Sequence, residues 1–232
     1  RSAMIRLTWQ RSNRVFASSE GTVQVQQIDL AFPRASVNAR AGREFRYTSE
    51  GVDALRSGGY GFETVSSLNL AEELRHAWER AVEKSKDVAT PVSTEVGRYD
   101  LVLSAQAAAS VLSQTLGRAL NAERALGYRM NRDGTSFAAP PIELLGTMQV
   151  GSPLLTVRAD RSEPHAPATV GWDDEGVKPS DMTLVQDGVL MDYLTTRQTA
   201  AEVAPWYRNR GEQERSNGCA SGAGLRRPSV QL

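Results

Sequence analysis

The sequence is poor in the side chains that most often announce chemistry. It holds one cysteine, Cys219, and two histidines, His76 and His165, in 232 residues. A lone cysteine excludes an internal disulfide and a cysteine-rich metal site, and it fits a reducing compartment. Net charge is absent too. The 27 basic and 27 acidic side chains cancel, so no global field draws nucleic acid or anionic lipid. No run approaches the roughly 18 apolar residues that a membrane span requires. The opening "RSAMIRLTWQ" lacks both the apolar core and the cleavage pattern of a signal peptide. We therefore expect a cytoplasmic chain with no nucleic-acid partner and no membrane partner. Because it opens on Arg1 and not on methionine, we expect a processed or partial product.

What is present is an ordinary globular composition, 40% hydrophobic and 23% charged, long enough to bury a sizeable core. From Met4 to Ala41 the pattern favours strands. "MIRLTWQ", "RVFASSEG", "TVQVQQIDLAF" and "ASVNARAG" are β-branched and aromatic, with "QRSNR" and "SSEGT" as the turns of an antiparallel meander. Gln24 and Gln26 are expected on an exposed face. "LRSGGYGFET" (55–64) reads as a glycine-rich loop, since it does not carry a strand into a helix with dinucleotide spacing. "NLAEELRHAWERAVEKSKDV" (69–88) reads as a helix, with Asn69 as N-cap, Glu72 completing a capping box, and Leu70, Leu74, Trp78, Ala81 and Val82 buried.

"LVLS" (101–104) reads as a short strand, and "AQAAASVLSQTLGRALNAERALGYRM" as a second long helix of strong helix formers. On that helix Val111, Leu112, Leu116, Ala119 and Leu120 form the apolar face. Ser113, Gln114, Gly117, Arg118 and Asn121 form the polar one. "TMQVGSPLLTVRAD" and "MTLVQDGVLMDYLTTR" are strand-like, the latter a hairpin about Asp187-Gly188, and "QTAAEV" reads as a short helical turn. The fold class is thus α+β, with extended antiparallel sheets and two long helices. Residues 1–100 form a strand-rich segment with the first helix, and 101–232 hold the second helix and the hairpin. We expect one continuous domain of a longer architecture.

The search for a catalytic constellation is mostly empty. His76 lies on an exposed helix side and His165 in the loop "EPHAP", with no nucleophile elbow in sight. Nothing in the spacing of His76, His165 and Cys219 brings them together as zinc ligands. "WDDEG" (172–176) is the densest acidic cluster. Its acids do not alternate as in a calcium loop, so a turn capped by Asp173 or Asp174, with Gly176 left-handed, is the favoured reading over a cation site. The five arginines between Arg208 and Arg227 read as a solvated patch.

Four ordered pieces resemble the TldD/PmbA family of zinc metallopeptidases, also called modulators of DNA gyrase. They are "LVLSAQAAASVLSQTLGRALNAERALGYRMNRDGTSF", "VGSPLLTVRAD", "TVGWDDEGVKPSDMTLVQDGVLMDYLTTRQTA" and "RSNGCASG". The resemblance places the metal-binding helix in the stretch 111–131. Where catalytic members of the family carry H-E-x-x-x-H, this chain has Ser113, Gln114 and Arg118; the family's acidic positions further along fall on Asn121 and Glu123. A zinc ion needs imidazole or thiolate ligands and its water needs a carboxylate base, so the resemblance implies no zinc here and no other cofactor. Another family ligand is a cysteine in a later segment, a role that Cys219 is not placed to take.

The resemblance implies a metallopeptidase-like protein of peptide processing or degradation, and within it a non-catalytic subunit, a pseudoenzyme. Its partners would be a homologous TldD/PmbA-type subunit, in a homo- or heterodimer, and a peptide substrate. Arg118, Asn121 and Glu123 are the candidate substrate-binding residues. Arg118 would either anchor an acidic group or pair with Glu123 or another nearby carboxylate. The alternative is a metal-free hydrolase or binding protein that uses Ser113, Gln114 and Arg118 on one helix side, although no general base stands near them.

Overall fold

The structure, a computed structural model, describes residues 2–41, 46–51, 58, 59, 61, 63–67, 69–89, 93, 95–220 and 229–231. It divides into two compact units. One comprises Arg1–Ser12 and Ile28–Leu101, the other Asn13–Gln27 and Val102–Leu232.

β1 (Ser2–Ala17), β2 (Val23–Ala41) and β3 (Arg46–Gly51) follow one another as neighbours in a three-stranded sheet, of which residues 13–17 and 23–27 are counted with the second unit and the remainder with the first. β2 and β3 are antiparallel, with Ser36 opposite Gly51. The meander is therefore longer-stranded than its sequence pattern implies. "QRSNR", expected as a turn, lies inside β1. It holds no glycine to supply a positive φ, and its Arg11 projects sideways onto Asp29 (Nε to Oδ1, 2.7 Å) with the guanidinium over the Trp9 ring. The reversal falls at Ser18–Thr22, where Gly21 takes φ +84 and Ser18 N–H donates to the Thr22 carbonyl at 3.0 Å. Of the glycine-rich stretch 55–64, Gly58 exchanges backbone hydrogen bonds with Ala31, while 55–57, 60 and 62 lie outside the described residues.

The helix Leu70–Ala89 starts where Asn69 predicts it. The Asn69 carbonyl accepts from Glu72 and Glu73, and its amide donates to Glu72 Oε2 at 3.0 Å. The buried stripe is centred on Ala77 and Ala81, packed with Ala35, and Leu74 and Trp78 flank it half-buried. Small residues occupy the closest approach, which an apolar-size argument overlooks. His76 is exposed between Glu72 (3.9 Å) and Glu79 (3.6 Å).

The second unit is built on a four-stranded antiparallel sheet in the order β6-β5-β4-β7, from β4 (Val157–Asp160), β5 (Met182–Gln186), β6 (Val189–Leu190) and β7 (Ser229–Gln231). The β5–β6 hairpin turns on Asp187 (φ 49) and Gly188 (φ 78), the conformation that Asp-Gly favours. A Cβ on Gly188 would meet the Gly151 carbonyl at 2.5 Å. Leu120, Val157, Leu184, Val185, Leu190, Tyr193 and Leu194 fill the core. Here "QTAAEV" extends to a thirteen-residue helix, Arg197–Asn209, opened by a capping box between Thr196 and Thr199. Ala200, Val203, Ala204 and Tyr207 are its buried face, spaced by three and four as an amphipathic helix requires. "LVLS" is not a strand: Leu101, Val102 and Leu103 are exposed and Ser104 caps the next helix. Between 147 and 156 the only ladder contact among the described residues is the bridge of Gln149 with Val189. The α+β class with antiparallel sheets stands, and among the described residues no helix is long and apolar enough to cross a membrane.

Candidate functional site

The segment expected to form one long motif helix is broken. Ser104 Oγ accepts from Ala107 N–H and opens a helix that runs from Ala105 to Gln114. Thr115 then departs to φ −92, ψ −82, and single turns follow at Leu116–Ala119 and Ala122–Ala125. Tertiary pairing overrides the helix-forming sequence at the second break. Leu194 N–H donates to the Leu120 carbonyl at 2.8 Å and Ala122 N–H to the Leu194 carbonyl at 3.1 Å, which draws Asn121 into an extended, strand-like bridge. Propensity offers only tenths of a kilocalorie per residue, so two buried backbone bonds suffice to redirect the chain.

The break decides where each candidate side chain stands. Leu116, Ala119 and Leu120 are buried as expected, but Val111 is exposed, whereas Gly117 and Asn121, expected on the polar side, are buried. Ser113 is half-buried and its hydroxyl donates to the Ser110 carbonyl at 3.3 Å; the exposed Gln114 donates its amide to Ser110 Oγ at 3.3 Å. Asn121 accepts from Arg124 N–H, so its side chain caps the following turn. Glu123 faces Arg129 (3.5 Å), which also faces Asp133 (3.2 Å). Arg118 is exposed and makes no hydrogen bond or ion pair with the described residues. The expected pairing of Arg118 with Glu123 is thus replaced by Arg129. Nor do Ser113, Gln114 and Arg118 share one helix side. Positions i and i+5 stand about 140° apart even on an unbroken helix, and here Thr115 interrupts it.

These groups do not fit a zinc ion. A hydroxyl and an amide bound into their own helix, followed by a permanent cation, are not an imidazole or thiolate donor set. Among the described residues no group of three His, Cys, Asp or Glu side chains gathers where a metal ion would sit.

The acidic cluster is a structural turn. Asp173 is 2% exposed; its Oδ1 accepts from Glu175 N–H (2.9 Å) and Val177 N–H (2.8 Å), and its Oδ2 from Ala220 N–H (3.0 Å). Gly176 has φ +74, and a Cβ there would strike the Phe16 ring at 2.4 Å. Asp174 pairs with Arg14 (3.3 Å), and Glu175 accepts from Arg197 N–H (2.7 Å). Gln24 and Gln26 are not on an open face: Gln26 donates to the Trp172 carbonyl at 2.7 Å and accepts from Gly171 N–H, and Gln24 donates to the Gly176 carbonyl. All three acids and both glutamines therefore hold the loop in place.

Loop 216–220 closes the same region. Asn217 donates its amide to the Tyr193 carbonyl (2.8 Å) and its N–H to Thr195 Oγ1 (3.0 Å). The fully buried Arg161, which the sequence did not single out, donates to the carbonyls of Gly218 and Ala168. Cys219 is completely buried, and burial pushes its thiol up to about 12. It is a protonated core residue, not a nucleophile or a ligand. His165 is an exposed loop residue with φ 65. In the arginine-bearing stretch, Arg208 pairs with Glu214 and Arg210 with Glu212, while Arg226 and Arg227 lie outside the described residues.

The second unit is thus a sheet-backed core holding a polar motif segment and a capped acidic turn, and comparison with known proteins gives it a class. Residues 96–205 match the PmbA/TldA metallopeptidase C-terminal domain. Over 94% of its length the chain is 27% identical to a metalloprotease of Methanocaldococcus jannaschii, covering 42% of that protein. A metalloprotease of Methanothermobacter thermautotrophicus is 27% identical over 82% of the chain and 37% of its own length. Among solved structures, a modulator of a DNA gyrase from Thermotoga maritima has a TM-score of 0.68 at 19% identity, over 97% of this chain and 45% of that one. TldE from Thermococcus kodakarensis has a TM-score of 0.62 at 17% identity, over 99% and 46%. At such identities the structural likeness is one of fold. Residues 96–205 thus match the C-terminal domain of the TldD/PmbA family, and the rest of the chain is similar to proteins that carry that domain. It spans less than half the length of these relatives.

Proposed function

We propose that this chain forms part of a non-catalytic, metallopeptidase-like subunit that works in peptide processing or degradation beside a homologous TldD/PmbA-type subunit, in the cytoplasm. The observation that carries the reading is the motif segment. Where the resemblance puts the two histidines and the glutamate of H-E-x-x-x-H, the chain has Ser113, Gln114 and Arg118, the first two bound to Ser110 and the third an exposed cation. The fold is shared with a TldE structure, as a subunit of this family would require. β1, at the end of its sheet order, offers an edge of the kind that extended peptides add to.

The test is co-expression with a homologous subunit whose H-E-x-x-x-H helix is intact. The reading predicts that the two co-purify and that peptidase activity depends on the partner's zinc ligands. Activity of this chain alone that survives removal of metal by a chelator would overturn it in favour of a metal-free hydrolase. Failure of the two chains to associate would overturn the subunit assignment.

A further inference from the structure

A cleft of about 500 Å³ lies in the second unit beside β5 and the helix Arg197–Asn209, within the size range of small-ligand sites. Its lining is polar, and most of its charges are already matched. Arg210 pairs with Glu212 at 2.7 Å and lies over the Trp206 ring, and Asp181 pairs with Arg158. Two lining charges of opposite sign are left, Asp192 and Arg215. Neither has an ion-pair partner among the described residues.

Asp192 is held firmly, but by neutral donors. Its Oδ1 accepts from the Tyr207 hydroxyl at 2.6 Å and from Tyr193 N–H at 2.7 Å. Tyr207 is fixed in turn on the buried face of its helix, and burial beside Asp192 raises its hydroxyl above the usual tyrosine range, so it stays a donor. Burial lifts the Asp192 carboxyl to about 6; the bonds from Tyr207, Tyr193 and Asn217 pull it down, and the charge of Glu212 pushes it up. At neutral pH the group is therefore an ionised, largely desolvated carboxylate. Such a charge is costly unless a cation joins it. Arg215 is exposed at the same cleft.

We propose that this cleft binds a small zwitterion, with an ammonium group on Asp192 and an anionic group on Arg215, the ω-amino acids being the simplest members of the class. The inference goes beyond the subunit reading and does not rest on it. The motif segment is not involved.

The test is calorimetric or NMR titration of the whole chain with γ-aminobutyrate and ε-aminocaproate, which differ in the distance between charges, and with n-butylamine and butyrate as single-charge probes. At about pH 7.5 at least one amino acid saturates, n-butylamine binds about tenfold more weakly, and butyrate does not saturate. Lowering the pH to about 5 weakens the amino acid about tenfold, because a group titrating near 6 is then mostly protonated. Asp192→Asn, which keeps the shape and both acceptor contacts, abolishes binding. Arg215→Gln reduces the amino acid to the affinity of n-butylamine and leaves n-butylamine unchanged. This exposed substitution keeps the test decisive if the buried one disturbs folding. Butyrate or n-butylamine binding as well as the amino acids, undiminished binding by Asp192→Asn, or saturation by none of the probes overturns the proposal.

Discussion

The motif segment and the Asp192 cleft make opposite use of polar side chains. In the first, Ser113, Gln114 and Asn121 are spent on the chain's own neighbours, donating to Ser110 or capping the next turn, and the one remaining charge, Arg118, points to solvent. In the second, a half-buried carboxylate is oriented by Tyr207 and Tyr193 yet has no cation beside it among the described residues. A side chain that satisfies itself locally serves the fold. One that is positioned but electrostatically incomplete keeps a use for a ligand. The segment that the family resemblance marks is thus the chemically quieter of the two.

The comparison can be broken at several points. The largest effect is expected where the motif segment enters the core. Leu120 is fully buried, and Leu120→Ala should cost about 3 kcal/mol in chemical denaturation, because the surrounding sheet cannot collapse into the void. Asp192 comes next. Its folded carboxyl titrates near 6, above its unfolded value, so the native state binds more protons between those two values. Stability should fall as pH rises from about 4 to about 7, by about 2 kcal/mol from this group, and Asp192→Asn should flatten that slope. A slope unchanged in the variant would remove Asp192 from the account. Asn121→Ala, which deletes a helix cap, should cost about 1 kcal/mol. Smallest of all, Arg118→Ala should change stability by less than about 0.5 kcal/mol, since the side chain touches no partner among the described residues.

Much of the fold was legible wherever local signals and tertiary packing agreed. The helix after Asn69, the Asp-Gly hairpin and the Asp173 turn stand where their local signals put them, although Asn69 donates its amide to the Glu72 side chain in place of the expected capping box. The misreadings share a cause, which is partners distant in sequence. Strong helix formers at 115–122 could not reveal that Leu194 would take up the backbone there. "QRSNR" could not reveal that Asp29 would hold Arg11 in a continuing strand. Of the candidate site, residue chemistry alone says that Ser113, Gln114 and Arg118 suit no zinc ion, while their place in a metal-binding frame is what the family resemblance implies. Asp192 was not legible, because its significance comes from Tyr207 fifteen residues away and from the missing cation.

The central claim, that the motif segment holds no zinc, is tested most directly by metal analysis of the chain purified from zinc-supplemented cells. The account predicts no zinc above background in the natural sequence. One zinc per chain in the natural sequence would contradict it.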